Sequence, residues 1–225
     1  ISEETTVLPK PLVEIGGMPI LWHIMKIYSA HGLNDFVICC GYKGNVIKEF
    51  FANYFMTQSD VSFDMRSNRM EVHHKRAEPW TVTVVDTGEH TMTGGRLQRV
   101  SSYVEEEEAF CFTYGDGVGN IDITRLLQYH QAHGKAATVT AVTPPGRFGA
   151  LGLAGEQVVE FTEKPSGDNG LINGGYFVLN RSTLDLLGDE DLAWEDGPIA
   201  SLVQQRQVVA YRHPGFWHLM DTLRD

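Results

Sequence analysis

Ala109-Phe110-Cys111-Phe112-Thr113-Tyr114-Gly115-Asp116-Gly117 sets an apolar run, residues 109–114, directly against a carboxylate held between two glycines. The run has the length and content of a strand covered on both faces. The glycines let a ligand approach the backbone closely, and Asp116 then projects from the strand's carboxyl end. A metal ligand suits that position; an ordinary Gly-Asp-Gly turn suits it equally when the triplet is read alone.

Outward from this strand, the same grammar repeats. From Pro19 to Tyr28, Ile20, Leu21, Ile24, Met25, Ile27 and Tyr28 recur at helical spacing, with Gly32 where a C-terminal glycine belongs. Phe36 to Cys40 reads as a buried strand, and a second helix follows with Val46, Ile47, Phe50, Phe51, Tyr54 and Phe55 on one side. Further strands are predicted at Thr81–Val85 and Ala136–Val142, with a helix over Ile123–His133 closed by Gly134. Strands alternating with helices imply an α/β fold, Rossmann-like, with a mixed, mostly parallel sheet covered by helices. In such sheets ligands bind beyond the carboxyl ends of the strands. The polar stretch 58–80 reads as an excursion with a short strand or two. Val158–Thr162 and Tyr176–Leu179 read as later strands. We expect a single domain over residues 1–225, less regular from about residue 181.

The chain's 225 residues, 42% hydrophobic, contain no run near the roughly 20 apolar residues that span a bilayer. A formal net charge of -11 repels nucleic-acid polymers and anionic membranes, so an anionic substrate has to be held by local cations. Cys39, Cys40 and Cys111 sit in apolar runs without metal-ligand spacing, which points to a reducing, cytoplasmic compartment. The first residue is Ile1 and no targeting signal follows it, so we expect the true N-terminus to lie upstream.

A second carboxylate candidate is Asp221, within Phe216-Trp217-His218-Leu219-Met220-Asp221-Thr222. An acidic group among bulky apolar neighbours calls for a partner or a cation, unless it caps a helix. With Asp116 it could hold Mg²⁺ through two carboxylates, leaving positions for water and phosphate oxygens. Lys10 stands in Leu8-Pro9-Lys10-Pro11-Leu12, stiffened by proline on both sides, and Lys164 follows Glu163 and precedes Pro165 at the end of a strand. Each is a solvated lysine by default, and the two together are what an acidic protein needs to hold phosphates. The loop Asp86 to Arg96 is rich in hydroxyls and glycine; it is a plain loop, or one that wraps a flat base with Thr91 and Arg96 as hydrogen-bonding groups. Asn173, Gly174 and Gly175 pair an amide with close-approach glycines, as a sugar site would. The run Glu105–Glu108 reads as a solvated face, and the nine histidines show no structural zinc spacing.

Taken in order, Leu8-Pro9-Lys10-Pro11-Leu12-Val13, Phe110 to Gly117, Glu163-Lys164-Pro165, Asn173-Gly174-Gly175 and Met220-Asp221-Thr222 resemble the sugar-phosphate nucleotidyltransferases over the whole chain. Gly41-Tyr42-Lys43, Asp86-Thr87-Gly88 with Thr93-Gly94-Gly95-Arg96, and Phe216 to Asp225 resemble the members that use CTP and glucose 1-phosphate. The resemblance implies the nucleotide-diphospho-sugar transferase type of fold and Mg²⁺-assisted synthesis of CDP-glucose and pyrophosphate. Lys10 would contact the CTP phosphates, Lys164 the sugar phosphate, and Asp116 and Asp221 the Mg²⁺. Thr91 and Arg96, with backbone near Gly115, would read the cytosine nucleotide; Glu163, Asn173, Gly174 and Gly175 would face the sugar. It further implies a homo-oligomer serving bacterial surface polysaccharide synthesis.

Two departures from the family pattern stand out. The family's first strand and its Gly-Gly-x-Gly-Thr-Arg phosphate loop would fall just before Ile1, so we expect both to be missing from these residues. His218-Leu219 stands where Gln-Pro is expected. Alternatives are a thymidylyl- or uridylyltransferase, a metal-dependent glycosyltransferase, or a non-catalytic nucleotide-sugar binding module. An Asp-x-Asp motif would favour the glycosyltransferase, and the chain has Gly115-Asp116-Gly117.

Overall fold

The computed structural model describes residues 8–144, 150–154, 157–162, 170–188, 192–222 and 225. In chain order the elements are β1 (Glu14–Ile15), β2 (Met18–Pro19), α1 (Ile20–Ser29), β3 (Asp35–Cys40), α2 (Gly44–Thr57), β4 (Ser59–Asp64), β5 (Arg69–Lys75), β6 (Thr81–Asp86), α3 (Thr93–Arg99) and β7 (Ala109–Thr113). Then follow β8 (Gly117–Gly119), α4 (Ile123–His133), β9 (Ala137–Val142), β10 (Ala150–Ala154), β11 (Gln157–Thr162), β12 (Ile172–Asn180), α5 (Pro198–Gln204), β13 (Val208–His213) and β14 (Trp217–Leu219).

Helix boundaries follow local chemistry. Ile20, Leu21, Ile24, Met25 and Tyr28 form the buried stripe of α1. At α4, Asp122 accepts from the Arg125 amide at 2.9 Å, and Gly134 ends the helix at φ +63. In α2 the buried side runs through Ile47 and Tyr54, whereas Phe55, read from sequence as part of that face, is 42% exposed. It lies one step round the helix from Tyr54, off the i, i+3, i+4, i+7 stripe that faces the sheet.

The mixed α/β class agrees with the expectation. Four strands pair in the order β13-β9-β12-β7, with β13 parallel to β9 and β12 antiparallel to both its neighbours. Strands β3 and β6 form a parallel pair, and the 58–80 excursion is the antiparallel hairpin β4–β5. Strand β12 shows why its stretch Tyr176–Leu179 is apolar without alternation. Tyr176 and Val178 point into a core with α1 and α4, and Phe177 and Leu179 into a second core with Leu97, Trp194 and Leu202. Alternate side chains are therefore buried on opposite faces.

No helix among the described residues is long and apolar enough to cross a membrane.

Candidate active site

Lys10 lies in a single 3-10 turn, Lys10–Leu12, where Leu12 N donates to Pro9 O at 2.8 Å. Leu12 is buried against α1 and α2, which anchors the turn. The Lys10 ammonium stands 2.9 Å from Asp116 Oδ2 and 2.9 Å from Asp221 Oδ1. Residues 106 and 211 positions apart therefore meet at one point. Partial burial pulls the Lys10 pKa down, and the hydrogen bonds and charges of the two carboxylates more than offset that, so it is raised overall.

The two carboxylates meet because β8 and β14 pair antiparallel, Gly117 opposite Leu219 and Gly119 opposite Trp217. One residue on, Met220 N donates to Asp116 O at 2.8 Å. His218-Leu219 thus lies within the strand that leads into Asp221. Trp217 Nε1 donates to Gly174 O and Tyr176 OH to Gly117 O, each at 2.8 Å. Burial, with the charge of Asp116 adding to it, pushes the Tyr176 phenol well up, so it stays protonated as a donor. Gly115 packs on Pro11, with space for a Cβ only at 3.4 Å from Pro11 Cγ.

The base-loop candidates lie together. Thr87 is fully buried; its hydroxyl donates to Cys40 O at 2.8 Å and accepts from Arg96 Nη1 at 2.7 Å. Arg96 also donates to Glu89 O at 3.2 Å, and its guanidinium lies where a side chain on Gly41 would be. Arg99 donates to the Thr87 carbonyl and the Thr91 hydroxyl.

On the sugar-side candidates, Asn173 Oδ1 accepts from Gly175 N at 2.8 Å. Gly175 adopts φ +75, and a Cβ there would sit 2.9 Å from the Tyr114 ring, so the position needs glycine twice over. The Tyr114 hydroxyl donates to Glu195, Thr93 Oγ1 donates to the other Glu195 oxygen at 2.9 Å, and Trp194 N donates to Thr93 Oγ1 at 2.8 Å. Through these bonds the first residue of α3, the residue before Gly115 and the 194–195 turn form one polar rim.

Thus Lys10, Asp116 and Asp221 converge, and Asn173–Gly175 pack behind Gly117; Thr91 lies in the loop before α3, whereas Arg96, expected in that loop, stands within the helix. Glu163 and Lys164 lie outside the described residues. Sequence reasoning missed Arg99 and Glu195, and quoted Thr87 and Thr93 only as parts of motifs, without a role. Glu195, in Trp194-Glu195-Asp196-Gly197, carried a signal of the kind used for Asp221, an acid beside a bulky apolar residue.

The site has the donors for a cation. Two carboxylate oxygens already face one positive charge, the Lys10 ammonium, which stands in for a metal ion. Among the described residues no group of three or more His, Cys, Asp or Glu is gathered, so substrate phosphates and water would complete the shell. Burial pushes the Cys39 thiol up to about 11, against the pull of Arg96, and the Cys111 thiol up to about 12, away from the thiolate form.

The pattern that defines nucleotidyl transferases matches residues 5–217. The chain belongs to the nucleotidyl transferase family. It is 63% identical over 225 residues to the glucose-1-phosphate cytidylyltransferase of Salmonella typhimurium (strain LT2), covering 100% of this chain and 88% of that protein. The same figures hold for the Salmonella typhi protein of that name. Among solved structures, HddC from Yersinia pseudotuberculosis complexed with GMP-PN superposes with a TM-score of 0.68 at 17% identity, over 96% of this chain and 86% of that one. That likeness speaks for the fold of this nucleotidyl transferase.

Proposed function

We propose that this nucleotidyl transferase moves the cytidylyl group of CTP to α-D-glucose 1-phosphate, giving CDP-glucose and pyrophosphate. The observation that carries it is the convergence of Lys10, Asp116 and Asp221 on one point. The 63% identity to glucose-1-phosphate cytidylyltransferases supports the choice of substrates.

A phosphate oxygen of glucose 1-phosphate attacks the α-phosphorus of CTP in line, and the α–β bridging bond breaks so that pyrophosphate leaves with that oxygen. Little covalent help is required from the protein, because positioning and charge neutralisation dominate phosphoryl-group transfer. The nucleophile is already anionic at neutral pH and needs no general base. Asp116 and Asp221 would hold Mg²⁺, which when bound neutralises charge at the α-phosphate. Lys10, released from the carboxylates, turns its ammonium to the departing phosphates. Thr91 and Arg96, with backbone near Gly115, face the base. Asn173 to Gly175 face the sugar, and the family resemblance gives Lys164 to its phosphate and Glu163 to the sugar side. Glu195, held on both oxygens, joins them as an acceptor for a sugar hydroxyl.

The test is pyrophosphate release by the intact protein from CTP, glucose 1-phosphate and Mg²⁺. Asp116→Asn or Asp221→Asn should each lower it by about a hundredfold or more, the scale of losing a charge that acts in the transition state. Near-normal turnover in either variant removes the metal assignment.

A further inference from the structure

We propose that Asp225 is a positioning residue for the metal site: its carboxylate fixes the backbone on both sides of Asp221, so that Asp221 stays opposite Asp116 when Lys10 turns to phosphate. The inference rests on the reading that Asp116 and Asp221 hold a divalent cation.

The β8–β14 ladder carries the chain only part of the way to Asp221. Strand β14 ends at Leu219, opposite Gly117, and one residue on Met220 N still donates to Asp116 O. The next amide turns to a different acceptor. Asp221 N donates to Asp225 Oδ2 at 3.1 Å, and the same oxygen accepts from Thr222 N at 2.8 Å and Thr222 Oγ1 at 3.0 Å. Asp225 N donates back to Thr222 O at 3.1 Å, which closes the turn. The amide of Asp221 and the amide that follows it thus both end on Asp225, one on each side of the Cα that bears the metal-site carboxylate.

Asp225 is not itself a third ligand, because among the described residues no group of three or more His, Cys, Asp or Glu is gathered where a metal could sit. It acts through Asp221. The Asp221 side chain is half exposed and is held by Lys10 at 2.9 Å. That contact is given up when Lys10 turns to a triphosphate, whereas the bonds to Asp225 leave the Asp221 carboxylate untouched and persist. An arriving cation then meets a carboxylate on a backbone already ordered, and does not have to order it.

Thr222 and Asp225 also have the spacing of a capping box, in which an acid accepts from the amide of a hydroxyl residue three positions before it. A cap alone contributes to stability and nothing more. The bond from Asp221 N is additional to that pattern, and it reaches the residue that would bind metal. The two roles have different readouts: loss of a cap shows in denaturation, and loss of positioning shows in metal affinity.

The experiment measures Mn²⁺ affinity without nucleotide, the urea midpoint and the Mg²⁺ dependence of pyrophosphate release, in the intact protein and in Asp225→Ala, Asp225→Leu and Asp225→Asn. Removing a hydrogen-bonding partner of a metal-binding residue typically costs roughly 10–100-fold in affinity or activity. Asp225→Ala and Asp225→Leu should each weaken Mn²⁺ binding by about tenfold, in protein that folds. The Mg²⁺ concentration for half-maximal turnover should rise by a similar factor, with kcat at saturating Mg²⁺ kept within about threefold. Asp225→Asn, whose amide oxygen still accepts, should recover most of the affinity. In an Asp221→Asn background, Asp225→Ala should add little, because no carboxylate is left there to position. Unchanged Mn²⁺ affinity in Asp225→Ala and Asp225→Leu overturns the proposal. An Asp225→Asn variant as weak as Asp225→Ala also overturns it, since the effect then belongs to charge. Should Asp225→Ala not fold, Asp225→Leu and Asp225→Asn decide by the same criteria. Wild-type Mn²⁺ affinity in Asp221→Asn overturns the underlying reading, and this proposal with it.

Discussion

Lys10 carries two duties that compete. Its ammonium is held by Asp116 and Asp221, yet the same carboxylates are the ones that would hold a divalent cation. The side chains are 28%, 29% and 51% exposed in that order, so water screens the contacts and their removal costs roughly 0–1 kcal/mol of stability. The larger effect is on what the carboxylates bind. With Lys10→Met, the two carboxylates lose the ammonium held between them, and a cation in its place restores that neutralisation. The intact variant should bind Mn²⁺ several-fold more tightly in the absence of nucleotide, measured by the loss of the free-ion spin-resonance signal, while its affinity for CTP falls. Weaker Mn²⁺ binding in the variant would show that Lys10 does not compete for the site. If the variant binds Mn²⁺ more tightly, metal and nucleotide loading are linked, because a triphosphate that drew Lys10 away would favour the metal and the metal would favour the triphosphate.

Among the elements, α4 was the most legible: Ile123, Leu126 and the terminal Gly134 fix its face and its end, and the structure adds only the Asp122 cap. What periodicity could not show is the polar cluster behind its last turn. His130, 3% exposed, shares Thr138 Oγ1 with His133, at 2.8 and 2.7 Å, and meets Asn180 Oδ1 at 2.7 Å through its other nitrogen. Burial, with the charge of His130 and then Lys135 added, lowers the His133 pKa. The folded protein thus takes up that proton less readily than the unfolded chain. The contribution to stability is present above the ordinary histidine value of about 6.5 and is lost as pH falls below it. The urea midpoint should therefore drop between pH 7 and pH 5.5, and His133→Gln should flatten that drop. A wild-type midpoint that does not fall over this interval would contradict it. Strand β12 illustrates the opposite case. Its apolar run announced a covered strand, but the antiparallel direction comes from which neighbours it joins, and composition does not encode that.

At the scale of the whole molecule, the site exists only because the far end of the chain returns to β8. Asp116 and Asp221 were legible as candidates from their neighbours, Asp116 from the glycines that flank it at the end of an apolar strand and Asp221 from the bulky apolar residues before it. Glu195 carried a similar signal, but its bond to Thr93, 102 positions away, arises only on folding; Arg99 reaches Thr87 and Thr91, 12 and 8 positions away, through a loop geometry that composition does not encode. Trp217 is the residue that closes the return. It is 8% exposed, its indole donates to Gly174 O, its ring packs into the core with Ile20, Leu126 and Tyr176, and its strand sets the register that puts Met220 N on Asp116 O. Trp217→Ala should cost about 3–5 kcal/mol of stability, through the cavity and the lost ring contacts. It should also weaken Mn²⁺ binding, although it touches neither carboxylate, because Asp221 is no longer held opposite Asp116. Trp217→Phe keeps most of the packing and loses the bond to Gly174, leaving that carbonyl unpaired at about 1–3 kcal/mol, with metal affinity largely retained. Denaturation by urea and Mn²⁺ titration of the two variants separate the contributions. If Trp217→Ala bound Mn²⁺ as tightly as the wild type while folded, the β8–β14 register would not be what brings the two carboxylates together.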